Sequence, residues 1–153
     1  MRAGIICPVN TVWTEQTLTA IESGGHRRGG ARRAVVELLG RQDCCVSAQE
    51  IFDTLRAEGR RVGIASVYRV LDTLGEKGLV QRIDIGAGTA RYEPVLPGGD
   101  HHHHLVCDAC GKVEAFADPE LEAAIHRVEG RTGYSVAAHD VVLRGACRDC
   151  IRQ

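Results

Sequence analysis

The spacing of apolar residues predicts three helices in the first half of the chain. Three stretches carry apolar side chains three and four residues apart, the period of a helix buried on one face. The first stops at Gly40, the second opens with Ser47 and Glu50 in capping-box spacing, and the third covers residues 65–77. The apolar positions are Ala34, Val35, Leu38, Leu39, Ile51, Leu55, Val67, Val70, Leu71 and Leu74.

A hairpin follows these helices. Residues 79–85 and 89–93 alternate apolar and polar side chains as strands do, and Gly86-Ala87-Gly88 joins them as a turn. Three helices and then a two-stranded hairpin is the element order of a winged helix-turn-helix. Residues 13–21 have the pattern of an additional helix ahead of this unit.

The last third of the chain has a different pattern. Residues 105–107 and 112–116 are strand-like, residues 119–132 form a helix, and residues 134–143 have strand character. The helix carries its apolar residues at Leu121, Ile125 and Val128. Such a small α+β unit has little core of its own and requires a metal, a partner subunit, or both for stability.

Charge separates the same two regions. The chain has 153 residues, 44% hydrophobic and 25% charged, with a net charge of −1. Residues 1–95 hold 13 basic and 11 acidic side chains, whereas residues 96–153 hold 6 and 9, so a slightly basic front precedes an acidic back. We predict a winged-helix domain at 1–94 with an N-terminal extension to about residue 23, a hinge at 95–100, and a second domain at 101–153.

Cysteine usage indicates metal binding. No apolar run approaches the roughly 20 residues that a bilayer requires, and the N-terminal apolar stretch is too short for a signal peptide. We therefore expect a cytoplasmic protein without a membrane partner. In the reducing cytoplasm its seven cysteines stay reduced. Four of them form two CxxC pairs that favour a structural tetrahedral Zn²⁺ site over a thioredoxin-like redox pair, which needs a βαβ frame. These are Cys107, Cys110, Cys147 and Cys150.

Four consecutive histidines, residues 101–104, lie just ahead of the first CxxC pair. Side chains alternate along an extended segment, so the run presents two half-sites on opposite faces. Glu122 and His139 are the best candidates to complete one half-site. Glu93 and either Cys44 or Cys45 are candidates for the other, and a solvated run without ligand role is the alternative.

These motifs together resemble one family. The segment Gly63-Ile-Ala-Ser-Val-Tyr-Arg-Val-Leu71, the histidine run followed by CxxC-Gly-Lys, and the last CxxC pair strongly resemble the ferric uptake regulator family, from about residue 27 to 150. The resemblance implies a homodimeric, metal-dependent repressor that binds palindromic operators in double-stranded DNA. It also implies an α+β fold, in which a winged helix precedes a small α/β dimerisation domain with structural zinc.

The resemblance assigns roles to individual residues. Ser66, Tyr68 and Arg69 fall on the recognition helix, whose side chains suit base and phosphate contacts. The family's basic N-terminal motif matches Arg27, Arg28 and Arg32, although Gly29 and Ala31 stand where the family usually has Thr and Pro, which predicts weaker helix capping.

The resemblance also implies two metal sites besides the structural zinc. The regulatory metal is assigned to His101, His103, Glu122 and His139. A further site is assigned to Cys45, Glu93, His102 and His104. Position 103 is often Asp in iron and peroxide sensors, so a histidine there makes the site richer in nitrogen and leans toward zinc.

The prediction is therefore a metal-sensing repressor of iron or zinc uptake genes, with structural Zn²⁺ and a regulatory Fe²⁺ or Zn²⁺. An iron-based peroxide sensor of the same family is the alternative. We expect no enzyme: a zinc hydrolase is the remote alternative, and the chain has no HExxH motif. A zinc-ribbon interaction module without regulatory metal is the remaining reading.

Overall fold

A computed structural model describes residues 10–23, 29–86, 88–96 and 102–152. The chain divides into two compact units at residue 100, each described by itself below. The predicted hinge at 95–100 and the domain bounds stay predictions, because residues 97–101 lie outside the described part. None of the described helices is both long and apolar enough to span a membrane.

The first unit contains helices around a three-stranded antiparallel sheet of order β1-β3-β2. Helices α2, α3 and α4 are those predicted from apolar spacing, and β2 and β3 form the predicted hairpin. The two-residue strand β1, too short to show a period, was not predicted. The bounds are α1 Thr11–Ser23, α2 Gly30–Leu39, β1 Val46–Ser47, α3 Ala48–Ala57, α4 Ile64–Glu76, β2 Val80–Asp84 and β3 Ala90–Pro94.

Helix ends in this unit follow local chemistry. At the start of α3, Ser47 Oγ accepts a hydrogen bond from Glu50 N at 3.1 Å, and Ser47 N donates to Glu50 Oε2 at 2.7 Å. This is the predicted capping box. By contrast, α2 begins after Gly29 with no side-chain hydrogen bond at its N-cap, as the departure at this position predicted.

Helix α1 packs against the apolar core of the winged helix. Trp13 is 2% exposed and its indole Nε1 donates to the Leu79 carbonyl oxygen at 3.0 Å. Ile21 and Thr17 are also buried, so one face of α1 joins the apolar core built by α2, α3 and α4. The predicted extra helix at 13–21 is therefore present and slightly longer.

The second unit is built on a three-stranded mixed sheet of order β5-β4-β6, with β4 antiparallel to β5 and parallel to β6. Helix α5 has the bounds that the sequence predicted. It begins where Asp118 accepts hydrogen bonds from Glu120 N and Leu121 N, and it ends at Gly133, which has a φ of 73°. The elements are β4 His103–Cys107, β5 Val113–Phe116, α5 Pro119–Thr132, β6 Val142–Gly145 and α6 Arg148–Ile151.

The predicted strand at 134–143 is wrong for most of its length. Strand β6 begins only at Val142, and residues 134–141 form an irregular segment. The backbone N–H of Val136 donates to Glu129 Oε1 of α5 at 2.8 Å instead of to a neighbouring strand. His139 consequently lies in an irregular segment, not on a strand as its sequence context indicated.

Candidate metal centres and nucleic-acid interface

The four predicted zinc ligands come together. Sulfur atoms of Cys107, Cys110, Cys147 and Cys150 all lie within 4.8 Å of one another. Cys110 Sγ and Cys147 Sγ are 3.8 Å apart. A tetrahedral Zn²⁺ with Zn–S bonds of about 2.3 Å places its sulfurs about 3.8 Å apart, so the arrangement fits this ion.

Backbone geometry builds this cluster from two turns. After Cys110, Gly111 has a φ of 75°, which a side chain would strain, and its N–H donates to the Cys107 carbonyl oxygen at 2.9 Å. Cys147 is the N-cap of the short helix α6, which sets Cys150 one turn along. The two CxxC pairs, far apart in sequence, meet because β4 and β6 are parallel neighbours.

The same turns favour the thiolate form of Cys107. Hydrogen bonds from the backbone N–H groups of Cys147 and then Cys110 lower the pKa of the Cys107 thiol to about 6. Cys147 N lies 3.2 Å from Cys107 Sγ. In the metal-free cluster, by contrast, hydrogen bonds with the other thiols raise the pKa of Cys150 to about 12, so Cys107 is the ligand that loses its proton most readily.

A second cluster lies between β4, α5 and the irregular segment before β6. The Nε2 atom of His103 is 2.6 Å from Glu122 Oε1, and the Nε2 atom of His139 is 3.2 Å from Glu122 Oε2. The two imidazole centroids are 5.4 Å apart. One ligand atom from each residue lies within 4.8 Å of the other two, which fits a first-row divalent ion bound by two nitrogens and a carboxylate.

Each of these ligands is held by a different element. His103, the first residue of the central strand β4, is 1% exposed. Glu122 lies in the first turn of α5, one turn beyond its Asp118 N-cap, and His139 lies in the irregular segment. The fourth predicted ligand, His101, lies outside the described residues, so the structure brings together three of the four.

Each unit holds half of the further predicted site. In the first unit, the Cys44 thiol 3.9 Å away, together with burial and the nearby Glu93 charge, raises the pKa of the Cys45 thiol. In the second unit, His102 immediately precedes β4 and His104 lies in it, and their ring centroids are 5.1 Å apart, as strand alternation predicts. That these four residues form one metal site stays a prediction.

Three of the predicted DNA-contacting residues, Ser66, Tyr68 and Arg69, lie on α4 outside its buried face. Val67, Val70, Leu71 and Leu74 are buried, whereas Tyr68 is 49% exposed and Arg69 is exposed. Tyr68 is therefore not a core aromatic. Ser66 and Arg69 share a surface concavity of about 510 Å³ with Arg32 at the start of α2. Arg27 and Arg28 lie outside the described residues.

Sequence reasoning missed Glu129. It lies seven residues after Glu122 on α5, two turns along the same face, where its carboxylate receives the Val136 N–H. A heptad spacing between two glutamates was the available signal. Without the path of the irregular segment, however, that spacing equally describes a solvated helix face.

A winged helix-turn-helix and two clusters of metal-ligating side chains on one chain define the class of metal-responsive transcriptional regulators. The model of the ferric uptake regulator family matches residues 23–144. The chain therefore belongs to the ferric uptake regulator family, and it is a metal-responsive transcriptional repressor. The family resemblance and the fold class drawn from the sequence are confirmed.

Individual relatives cover most of the chain. It is 34% identical over 134 residues to the ferric uptake regulation protein of Neisseria gonorrhoeae, across 87% of this chain and 92% of that protein. It is 35% identical over 131 residues to the zinc uptake regulation protein of Mycobacterium tuberculosis, across 85% and 98%. The solved ferric uptake regulator of Helicobacter pylori, whose structure is described as revealing three functional metal binding sites, matches with a TM-score of 0.80 and 27% identity across 97% of both chains.

Proposed function

We propose that a divalent metal, Fe²⁺ or Zn²⁺, bound by His103, Glu122 and His139 with His101, controls binding of this repressor to palindromic DNA. The observation that carries the proposal is the meeting of two imidazoles on one carboxylate, with His103 almost fully buried. A negative carboxylate beside a buried imidazole is costly unless a positive charge compensates it. That charge is either a proton on the imidazole or a bound metal ion.

The ligands have separate tasks in this proposal. His103 is fixed by the central strand and supplies an imidazole nitrogen. Glu122 supplies the negative charge that a dication needs, and one carboxylate already faces both Nε2 atoms. His139 comes from the irregular segment, so its position is the one that metal binding has most to fix.

The four cysteines have a different role from the regulatory ligands. They hold structural Zn²⁺ between β4, the turn after it and α6, whatever the level of the regulatory metal. This zinc joins the two ends of the second unit, whose helix α5 contains no buried residue. It supplies stability that the small apolar core of the unit lacks.

DNA binding is assigned to the exposed side of α4. With its buried side fixed by Val67, Val70 and Leu71, the helix presents Ser66, Tyr68 and Arg69 to a major groove. Arg32 borders the same concavity and suits a phosphate. Arg27 and Arg28 precede it in the chain and are proposed to extend this basic contact.

Homodimerisation is assigned to the second unit. Its apolar side chains are left exposed at Leu105 (40%), Val128 (42%), Leu143 (47%) and Ile151 (71%). Leu105 and Leu143 are adjacent in register across β4 and β6, so they form a continuous apolar surface. Such a surface suits a second copy of the chain, and a two-fold dimer presents two α4 helices to two half-sites of a palindrome.

Metal dependence is tested by comparing two glutamates of α5. We expect Glu122→Ala to abolish the effect of metal on DNA affinity, whereas Glu120→Ala, two residues earlier and exposed, should keep it. The probe is a duplex selected by the wild type from a random pool, titrated with anaerobic Fe²⁺ or with Zn²⁺ after the cysteine site is filled. Allosteric coupling of this kind is typically about 5–150-fold.

The result separates the readings. Equal metal dependence in both variants would contradict the proposed regulatory site. The metal that produces coupling at the lower free concentration is the one sensed, which decides between an iron and a zinc repressor.

A further inference from the structure

We propose that Glu129 is a positioning residue for the regulatory metal: its carboxylate ties the irregular segment to α5 and so sets the place of His139. The inference rests on the proposed regulatory site. It adds a residue that is not itself a ligand and lies two helical turns from Glu122.

The contacts of Glu129 support this role. Its Oε1 accepts the Val136 N–H at 2.8 Å, and its Oε2 lies 3.2 Å from His126 Nδ1. The backbone hydrogen bond from Val136, followed by the His126 imidazole, lowers the pKa of the Glu129 carboxyl, so it is a charged acceptor at neutral pH. Hydrogen bonds to a charged acceptor are stronger than those between neutral groups.

The path of the chain turns this hydrogen bond into a constraint on His139. The segment leaves α5 at Gly133, is held to Glu129 at Val136, and brings His139 to Glu122 three residues later. Its next backbone attachment is the Val141 carbonyl, which accepts from His104 N at 3.1 Å. Two carboxylates on one face of α5 thus receive successive parts of one segment.

A ligand on such a segment costs more to fix than one on a strand. Ordering the backbone costs conformational entropy, and a preformed attachment lowers the part of that cost that falls on metal binding. His103 needs no such help because it lies in β4, where it pairs with Phe116 of β5. Groups that orient a metal ligand typically change affinity about 10–100-fold when removed.

The experiment measures Co²⁺ binding to the full chain with Zn²⁺ already in the cysteine site. Co²⁺ gives visible ligand-field absorption that reports affinity and geometry at the second site without any DNA. We expect Glu129→Ala to raise the Kd about tenfold and to alter the spectrum. Glu129→Gln keeps an acceptor oxygen for Val136 and should restore most of the affinity, while Glu120→Ala is the matched control.

Three results overturn the inference, and each can be told from the others. If His139→Ala also leaves Co²⁺ binding intact, the regulatory site itself is wrong. If His139→Ala abolishes binding but Glu129→Ala stays within about twofold of the wild type, the site stands and the positioning role fails. If Glu129→Gln is as weak as Glu129→Ala, restoring an acceptor for the Val136 N–H does not restore affinity, so this hydrogen bond does not position His139, which also contradicts the proposal. Zinc content and α-helical circular dichroism of each variant show whether the second unit remains folded.

Discussion

At the scale of residues, Glu50 links helix capping to the hairpin. Its Oε2 accepts from Ser47 N in the capping box and from Arg91 Nη1 at 2.9 Å, while Oε1 accepts from Arg91 Nη2 at 3.0 Å. Arg91 lies on β3 and also donates to the Cys45 carbonyl oxygen at 3.0 Å. One carboxylate therefore joins the start of α3 to the sheet beside it.

Glu50→Gln should show how much of this junction depends on charge. Burial raises the pKa of the Glu50 carboxyl, but hydrogen bonds from Ser47 and the charge of Arg91 outweigh it, so the net pKa is lowered. The charge therefore stabilises the folded chain above the unfolded pKa of about 4.3, and this contribution disappears as the pH falls through the folded value. We expect the wild type to exceed the variant by about 0.5–1 kcal/mol at pH 7, since the side chain is 48% exposed.

Urea melts followed by the fluorescence of Trp13, the one tryptophan of the chain, measure this difference in the first unit. The difference should shrink as the pH falls below about 4.3 and through the lower folded pKa of Glu50. Asp53→Asn, on the same helix and hydrogen-bonded to Gln49, is the control. A difference that stays unchanged as the pH is lowered until the carboxyl is protonated would show that Glu50 acts through packing alone.

At the scale of elements, α1 depends on the absence of a side chain at Gly40. The Asn10 N–H donates to the Gly40 carbonyl oxygen at 2.7 Å, and a Cβ at Gly40 would overlap Thr14 Oγ1. Gly40→Ala should thus displace α1 and lower the free energy of unfolding by about 1–3 kcal/mol. Gly30→Ala, where a Cβ meets nothing within 4 Å, should be neutral or slightly stabilising. Similar Trp13 melts for both variants would contradict this account of α1.

Helix α4 allows a test of the proposed DNA surface. Arg69→Ala should raise the Kd for the selected duplex about tenfold, because one lost phosphate or base contact is worth about 1–3 kcal/mol. Trp13 melts should not change, since Arg69 is exposed and lies opposite the core. Arg131→Ala, which removes the same charge from the exposed surface of α5, is the control. Equal losses from both variants would indicate general electrostatics and not recognition by α4.

The elements also show what the sequence could predict. Helix α5 matched its predicted bounds because Asp118, Pro119 and Gly133 mark both ends with strong local chemistry. The segment after it did not, since β-branched Val136 has strand propensity but its N–H finds a side-chain acceptor that lies seven residues back. Spacing within a motif identified His103 and the cysteines, whereas the position of His139 depends on a tertiary contact that no periodicity encodes.

At the scale of the whole molecule, the two units have unequal means of stability. The first has a continuous core formed by α1 to α4 and the hairpin. Among the described residues of the second, the buried side chains are His103, His104, Val106 and Cys107, three of which are predicted metal ligands. Zinc at the cysteine site should therefore be a folding requirement of the second unit and not of the first.

Cys110→Ser tests this difference directly. With one of four sulfurs lost, we expect less than one zinc per chain, loss of the α5 contribution to circular dichroism, and conversion of dimers to monomers, because the apolar surface of Leu105 and Leu143 is carried by the same sheet. Trp13 fluorescence should still report a cooperative melt of the first unit. Cys44→Ser, outside the zinc site, should keep zinc, helix and dimer. If Cys110→Ser retained a helical dimer without zinc, the core of the second unit would suffice alone, and the structural role of the metal would be refuted.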